Sequence, residues 1–425
     1  MSTTQDSSSH LLALATPLNI LLSLGVYITC RVLYQIIYYR SFHPLRHFPG
    51  PFWASVTRLW MIAYHNIKAD ECEIELALQR KYGPVLRITS TLLLVSDATK
   101  LPEVYNRQSN KLNHYITGSF SATESLFNMR ERKHHAHFRK IAAGPYSFTN
   151  VKKMEGLVDL RIEQWVDRLD GMFRDGKKFD FAPWVCLYLA VYVAYDIISE
   201  IGFGAPIGFI ERGSDIDGLI QGFHDGLPAF GLMARLWPFT DWAKRRGQVK
   251  SISLRNQKTI LSGGSSGREA RQSGFAAEVP GCEDGRWKAL DLEYIKAEML
   301  LVLFAGADTT GTTFQAMIAY IASNSRVFTR LMEDIDSVSG DGKLSPMPQY
   351  DEVMEHCPYY IACVKETMRL CPSAPTISPR LVGAAGMHLR GRYAPPGTEV
   401  TCNPWLVHRD ENVHGPDACE FRPER

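Results

Sequence analysis

The chain has 425 residues, 45% hydrophobic and 22% charged, a balance that excludes a disordered polymer and allows a large buried core. Its 47 basic and 45 acidic residues nearly cancel to a formal charge of +2, with no long basic run, so nucleic acid is not expected as a partner. Nine cysteines are scattered without a C-x-x-C pair, which argues against a disulfide framework or a zinc cluster and places the body of the protein in a reducing compartment.

Residues 11–30, LLALATPLNILLSLGVYITC, run without a charge. At 1.5 Å per residue they can cross a hydrocarbon core of roughly 30 Å. Basic residues follow, at Arg31, Arg40, Arg46 and Arg58, so the segment is predicted to be a single-pass signal anchor with the remaining chain on the cytosolic side of the endoplasmic reticulum. Residues 1–40 are read as this anchor and 41–425 as one domain, joined by a stiff proline hinge, FHPLRHFPGPFW. A Gly-Pro turn and two short strands followed by a helix are predicted over 81–105. Helices are predicted over 151–170, 180–202 and 290–323, and strands recur only near 377–382 and 399–402. The Gly/Ser-rich stretch 262–285 reads as a loop. The fold class is therefore mainly α with a small β-sheet.

Three motifs carry chemistry. In MLLVLFAGADTTGTTF, an apolar helix acquires small residues, an acid and hydroxyls, which costs stability unless those groups are used or satisfied. At helical spacing Leu301, Ala305, Asp308 and Thr309 share or adjoin one face, and Gly306 leaves room for a flat ligand or another backbone; a small-residue packing groove fits the same pattern. Thr309 is placed to bond back to the Ala305 carbonyl and open the helix locally. The second motif is PYYIACVKETMRLCP, where Glu366 and Arg369 share a helix face, a pattern that alone is common on solvated helices. The third is the Pro-rich run ending in FRPER.

In order and spacing, A-G-x-D-T-T, E-x-x-R, Pro379-Arg380, H-R-D and F-x-P-E-R resemble the cytochrome P450 monooxygenases, and HHAHFRK, RKYGPVLRI and DIISEIGFGAPIGFI are similar to fungal microsomal members of the pisatin demethylase type. The resemblance covers nearly the whole chain after the anchor. It implies a haem cofactor, a lipophilic small-molecule substrate of fungal secondary metabolism, NADPH-cytochrome P450 reductase as electron donor and membrane lipid as surroundings. It implies that Thr309 and Asp308 pass protons toward dioxygen, that Leu301 and Phe304 wall the substrate pocket, and that Ala305 and Gly306 lie against the haem. His135, Arg139 and Arg380, assisted by His408, would neutralise the haem propionates. The cluster His134, His135 and His137 lacks an acid or thiol to complete a metal site, so no metal-ion site is assigned. Glu366, Arg369 and Arg425 match the family's buried Glu-Arg-Arg triad. The family's haem-ligating Cys lies downstream of F-x-P-E-R, in F-x-x-G-x-x-x-C-x-G, and the sequence stops at Arg425. The resemblance therefore implies a fold incomplete at its C-terminus and a chain inactive as given, or a non-catalytic membrane-tethered remnant or scaffold.

Overall fold

The computed structural model describes residues 17–63, 70–117, 123–174, 190–246, 280–283, 286–289 and 292–425. The apolar N-terminal segment is one helix, α1 (Pro17–Ile37), continued by a π-helical turn, Tyr38–Phe42. Its leucines and valines are exposed, and by length and composition Pro17–Phe42 is a candidate membrane span. The helix runs past Arg31, so the charge-free stretch marked a shorter segment than the helix that forms; residues 11–16 lie outside the described residues. The proline hinge is pinned to the body. Arg87 N–H donates to Pro49 O at 2.7 Å, and a Cβ on Gly50 would stand 2.3 Å from Arg87 O, so only glycine fits there.

The principal sheet has the order β1 (Val85–Arg87), β2 (Leu92–Val95), β8 (Glu399–Thr401), β5 (Arg380–Leu381), with β2 and β8 parallel and the other pairs antiparallel. Strand β2 reads as a continuous apolar run because both faces are covered: Leu93 and Val95 enter one core cluster, Leu92 and Leu94 the other. Two hairpins were not foreseen, β3 (Pro280–Glu283) with β4 (Arg286–Ala289) and β6 (Met387–Leu389) with β7 (Arg392–Ala394). Pro280–Glu283 therefore corrects the end of the Gly/Ser-rich loop, while 262–279 fall outside the described residues. In the second hairpin Arg390 and Gly391 both take positive φ, 48° and 75°, the two-residue turn that reverses the chain.

Helices supply the rest: α2 (Glu71–Tyr82), α3 (Arg132–Ala142), α4 (Glu155–Arg174), α5 (Ala190–Phe203), α6 (Phe209–Arg212), α7 (Leu219–Arg235), α8 (Trp237–Arg245), α9 (Leu292–Leu301), α10 (Ala307–Ser323), α11 (Ser325–Gly340), α12 (Tyr350–His356) and α13 (Pro358–Leu370). The helix expected over 151–170 is interrupted by a turn at Lys153 and Met154, and of the helix expected over 180–202 only the part from Ala190 is described. Helices α5 and α10 cross closely, for a Cβ on Gly311 would meet Val191 Cα at 3.0 Å.

The motif DIISEIGFGAPIGFI acquires a structural reason. Asp196, buried on α5, accepts the N–H groups of Gly208, Phe209 and Ile210 at 2.8, 3.1 and 2.9 Å, satisfying the orphan donors at the start of α6. Gly208 sits at φ 99°, a conformation glycine tolerates. Asp196→Asn keeps one acceptor oxygen and turns an amide toward the remaining N–H. It should lower unfolding stability by about 2 kcal/mol in urea titration; an unchanged midpoint would show that the cap is dispensable.

A second buried carboxyl controls pH behaviour. Glu75 on α2 is fully buried and accepts from Asn403 Nδ2 at 2.7 Å, while its neighbour Glu71 pairs with Arg235 at the end of α7. Burial, then the Glu71 charge, pushes the Glu75 carboxyl up to about 8, against the Asn403 bond and the Arg235 charge. The folded value exceeds the unfolded one, so between about 4.5 and about 8 the native chain holds a proton that the unfolded chain has released. Stability therefore falls as pH rises through that window. Glu75→Gln retains an acceptor for Asn403 and should flatten this dependence by on the order of 2–4 kcal/mol between pH 5 and 8, measured as unfolding midpoints at both pH values; parallel pH profiles for the two proteins would refute the assignment.

Candidate functional site

The polar insertion in the apolar helix makes a local break. Val302–Gly306 form a π-helical turn between α9 and α10, and Ala307 N–H is shared between the carbonyls of Leu303 and Phe304. Thr309 Oγ1 donates to Ala305 O at 2.7 Å and Thr310 Oγ1 to Gly306 O at 2.8 Å, so the hydroxyls serve carbonyls of the widened turn. Leu301, Ala305 and Thr309 follow one another at i, i+4 and i+8 on the more open face, with Ala305 exposed and the other two half-buried.

Three of the expected site residues on this helix also contact its neighbours. Gly306 faces α5, where a Cβ would meet Ile198 Cδ1 at 3.4 Å, so its small size serves helix packing. Phe304 is fully buried and stacked on Phe223 of α7, with ring centres 4.8 Å apart, as part of the packed core. Asp308 lies one turn beyond Phe304 and faces the same way; its Oδ1 accepts from His224 Nε2 of α7 at 2.6 Å. The acid and the threonine are adjacent in sequence, but the roughly 100° step of the helix sends their side chains to different neighbours.

The proposed propionate-binding residues converge from separate elements. The Arg380 guanidinium lies 5.6 Å from the Tyr105 ring centre and 5.2 Å from that of Tyr115, and its Nη1 is buried without a hydrogen-bond partner among the described residues. Lys111, paired with Arg380 in an isolated β-bridge, joins it. Burial, then the charges of Arg380 and Arg139, brings the Lys111 ammonium down to about 8, even though Nζ donates to Leu126 O and Phe127 O at 2.9 and 2.8 Å. His135 on α3 is held below its ordinary value by burial, then by Lys111, Arg139 and Arg380. Three cations, Lys111, Arg139 and Arg380, beside the imidazole of His135 and with one Arg380 N–H buried and unpartnered among the described residues, suit an anion with more than one negative charge. His408 and Arg380 line one cavity of about 380 Å³ together with Leu101, Tyr105, Ser378 and Cys402. His408 Nδ1 also lies 3.2 Å from Arg369 O.

That contact leads to the ionic cluster. Arg369 Nε and Nη2 donate to Glu366 at 2.7 and 2.8 Å, Arg425 Nε donates to Glu366 Oε1 at 3.1 Å, and the Arg422 N–H adds a bond at 2.9 Å. Arg369 also holds the carbonyls of His408, Ala418 and Glu420. Burial opposes ionisation of Glu366, but the Arg369 hydrogen bonds and then the Arg422 N–H and further Arg charge hold its carboxyl below the usual range.

Lys111, Tyr105, Tyr115 and His224 were missed by sequence reasoning. Lys111 sits in SNKLNHY, which carries no motif, and only the bridge to Arg380 gives it meaning. His224 is a lone histidine on an amphipathic helix, and its pairing with Asp308 spans 84 residues.

A basic cluster of this kind, beside a sheet edge in a mostly helical body whose long central helix is opened by hydroxyls, suits an anionic group. The cytochrome P450 family model matches residues 55–425, and the chain belongs to that family, whose cofactor is haem. Quiannulatic acid synthase of Emericella variicolor is 35% identical over the whole of this chain and 86% of its own length. Cytochrome P450 monooxygenase gsfF of Penicillium aethiopicum is 32% identical over 92% of this chain and 80% of its own length. A solved cytochrome P450 crystal structure superposes with a TM-score of 0.64 at 17% identity, over 84% of this chain and 78% of the other, which establishes the fold.

The residues present fit haem on two sides. The Lys111, His135, Arg139 and Arg380 cluster suits the propionates, and the Ala305–Thr309 face is lined by small and hydroxyl groups. The buried and half-buried cysteines among the described residues do not fit a thiolate ligand: burial pushes the Cys402 thiol up to about 12 and those of Cys363 and Cys72 up to about 11, and it raises Cys357 and Cys371 as well.

Proposed function

We propose that the chain is a membrane-anchored monooxygenase of fungal secondary metabolism, with residues 1–40 as anchor and 41–425 as the catalytic body, oxidising a lipophilic small molecule with electrons passed from NADPH by a reductase. The observation that carries this reading is the buried Arg380 Nη1, without a partner among the described residues, set among Lys111, His135 and Arg139 where an anionic cofactor edge would complete it. Haem, when bound, supplies dioxygen activation. His135, Arg139, Arg380 and Lys111 hold its carboxylates, with His408 lining the adjoining cavity; Leu301 and Ala305 form the apolar flank; Thr309 offers a hydroxyl already drawn into the widened turn, and Asp308 supplies the proton reservoir. The synthase name of the E. variicolor relative supports a substrate oxidised toward an acid. The anchor reading is supported by the exposed apolar helix Pro17–Phe42, which would place the site on the cytosolic side of the endoplasmic reticulum.

A second reading is favoured by the cysteines: with the thiols of Cys402, Cys363 and Cys72 raised by burial, the chain would keep the fold without thiolate-dependent turnover. A reduced carbon-monoxide difference spectrum of the haem-reconstituted chain separates the two. A thiolate-type Soret band is expected if the monooxygenase reading holds; a band of the neutral-ligand type would leave only the second.

A further inference from the structure

We propose that His224 is a positioning residue for Asp308 and the solvent-side proton donor of its relay. The inference rests on the reading of Asp308 and Thr309 as a proton relay. Two helices supply the geometry. Phe223 and His224 are consecutive on α7, while Phe304 and Asp308 are one turn apart across the π-helical break; Phe223 stacks on Phe304, and His224 Nε2 meets Asp308 Oδ1 at 2.6 Å. The stacked pair, fully buried on the Phe304 side, fixes the register of the two helices, so the imidazole has little freedom to leave the carboxylate.

The chemistry of the contact assigns the hydrogen. An ionised carboxylate only accepts, so Nε2 carries the proton in this bond and Nδ1 remains available to water. His224 keeps 39% of its side-chain surface exposed and Asp308 keeps 24%, so the pair spans from solvent to the helix that bears Thr309. The other ionisable group facing Asp308 is the Tyr195 phenol on α5, raised by burial and then by the Asp308 charge, so it stays protonated and does not compete as a base. Elsewhere on α7, Asp225 is engaged by Gln221 at 2.8 Å. In the relay a proton from solvent water adds to Nδ1 as the Nε2–H bond breaks and an O–H bond forms on Oδ1; Asp308 then carries the proton to be passed on, and the ring, left with Nδ1–H, regains its Nε2–H form by exchange with water. His224 thereby holds Oδ1 on the α7 side.

The proposal is tested on the full-length chain by two measurements. In ¹⁵N-histidine-labelled protein without substrate, His224 should show the Nε2-protonated form alone, replaced by a mixture of tautomers in Asp308→Asn, where the amide can meet either form of the ring. In haem-loaded protein with reductase, His224→Phe should raise hydrogen peroxide released per NADPH severalfold and enlarge the solvent isotope effect, with haem content and unfolding midpoint unchanged. His224→Gln, which donates to Asp308 but cannot act as an acid, should restore the carboxylate position while leaving the isotope effect enlarged. A tautomer mixture in the unsubstituted protein, or coupling preserved in His224→Phe while Asp308→Asn uncouples, overturns the His224 assignment alone. Coupling preserved in Asp308→Asn and Thr309→Ala overturns the relay reading and this inference with it.

Discussion

Replacing Glu366 by alanine is expected to destabilise the fold by about 3–5 kcal/mol, the cost of leaving a buried charge without its partner. Glu366 and Arg369 are both buried, and Arg369 spends its remaining donors on three carbonyls of the segment after α13, so the guanidinium cannot swing out to water when the carboxylate goes. Arg425 is less constrained, because Asp417 Oδ1 takes Nη1 at 2.8 Å and would keep it partly compensated. The ordering follows: Glu366→Ala and Arg369→Ala should be the severe changes, and Arg425→Ala milder. Urea unfolding of the three variants tests it, and a Glu366→Ala midpoint within experimental error of the parent would remove the cluster from any account of stability. Glu366→Gln keeps one acceptor oxygen but removes the charge and turns an amide N–H toward an arginine donor, so its shortfall against the parent measures the charge together with one lost acceptor. Because the folded carboxyl lies below its unfolded value, this contribution is present above the unfolded value and is lost as pH falls through the folded one.

Arg380→Ala should weaken haem retention by roughly 10- to 100-fold, the equivalent of one charge-assisted hydrogen bond to a carboxylate. The buried, unpartnered Nη1 is the reason the effect is specific: the protein has already desolvated that donor, and an incoming carboxylate gains the bond without displacing an existing one. Lys111 and His135 add to the effect, since burial and then the neighbouring positive charges hold both below their ordinary values, and an anion in this seat would offset the charge part. Arg380→Lys retains charge without the planar fork held between Tyr105 and Tyr115 and should fall between parent and alanine. Haem transfer to a scavenging apoprotein gives the rate; equal rates for parent and alanine variant would mean that the cofactor edge lies elsewhere.

How far the sequence reached depends on what each feature requires. The Thr309 back-bond was legible because it closes within one turn, from residue 309 to 305, where helical geometry alone decides the distance. Glu366 and Arg369 were legible for the same reason, three residues apart on one helix. The β6–β7 hairpin escaped notice because its strands are three residues each, too short for alternation to register, and its turn uses Arg390 in place of the usual first residue. The contacts of Gly306, Phe304 and Asp308 with α5 and α7 were not legible, because they join helices far apart in the chain.

Composition and order alone determined that this chain is a mainly helical protein with an apolar N-terminal segment, and the linear motifs determined its family, because periodicity and short-range spacing are written in consecutive residues. Only the tertiary structure decided which side of the central helix stays open, which cations press together at Lys111 and Arg380, and which histidine holds the acid. Those outcomes depend on contacts between residues 84 and 269 positions apart, and no local pattern specifies the direction from which a distant helix or strand arrives.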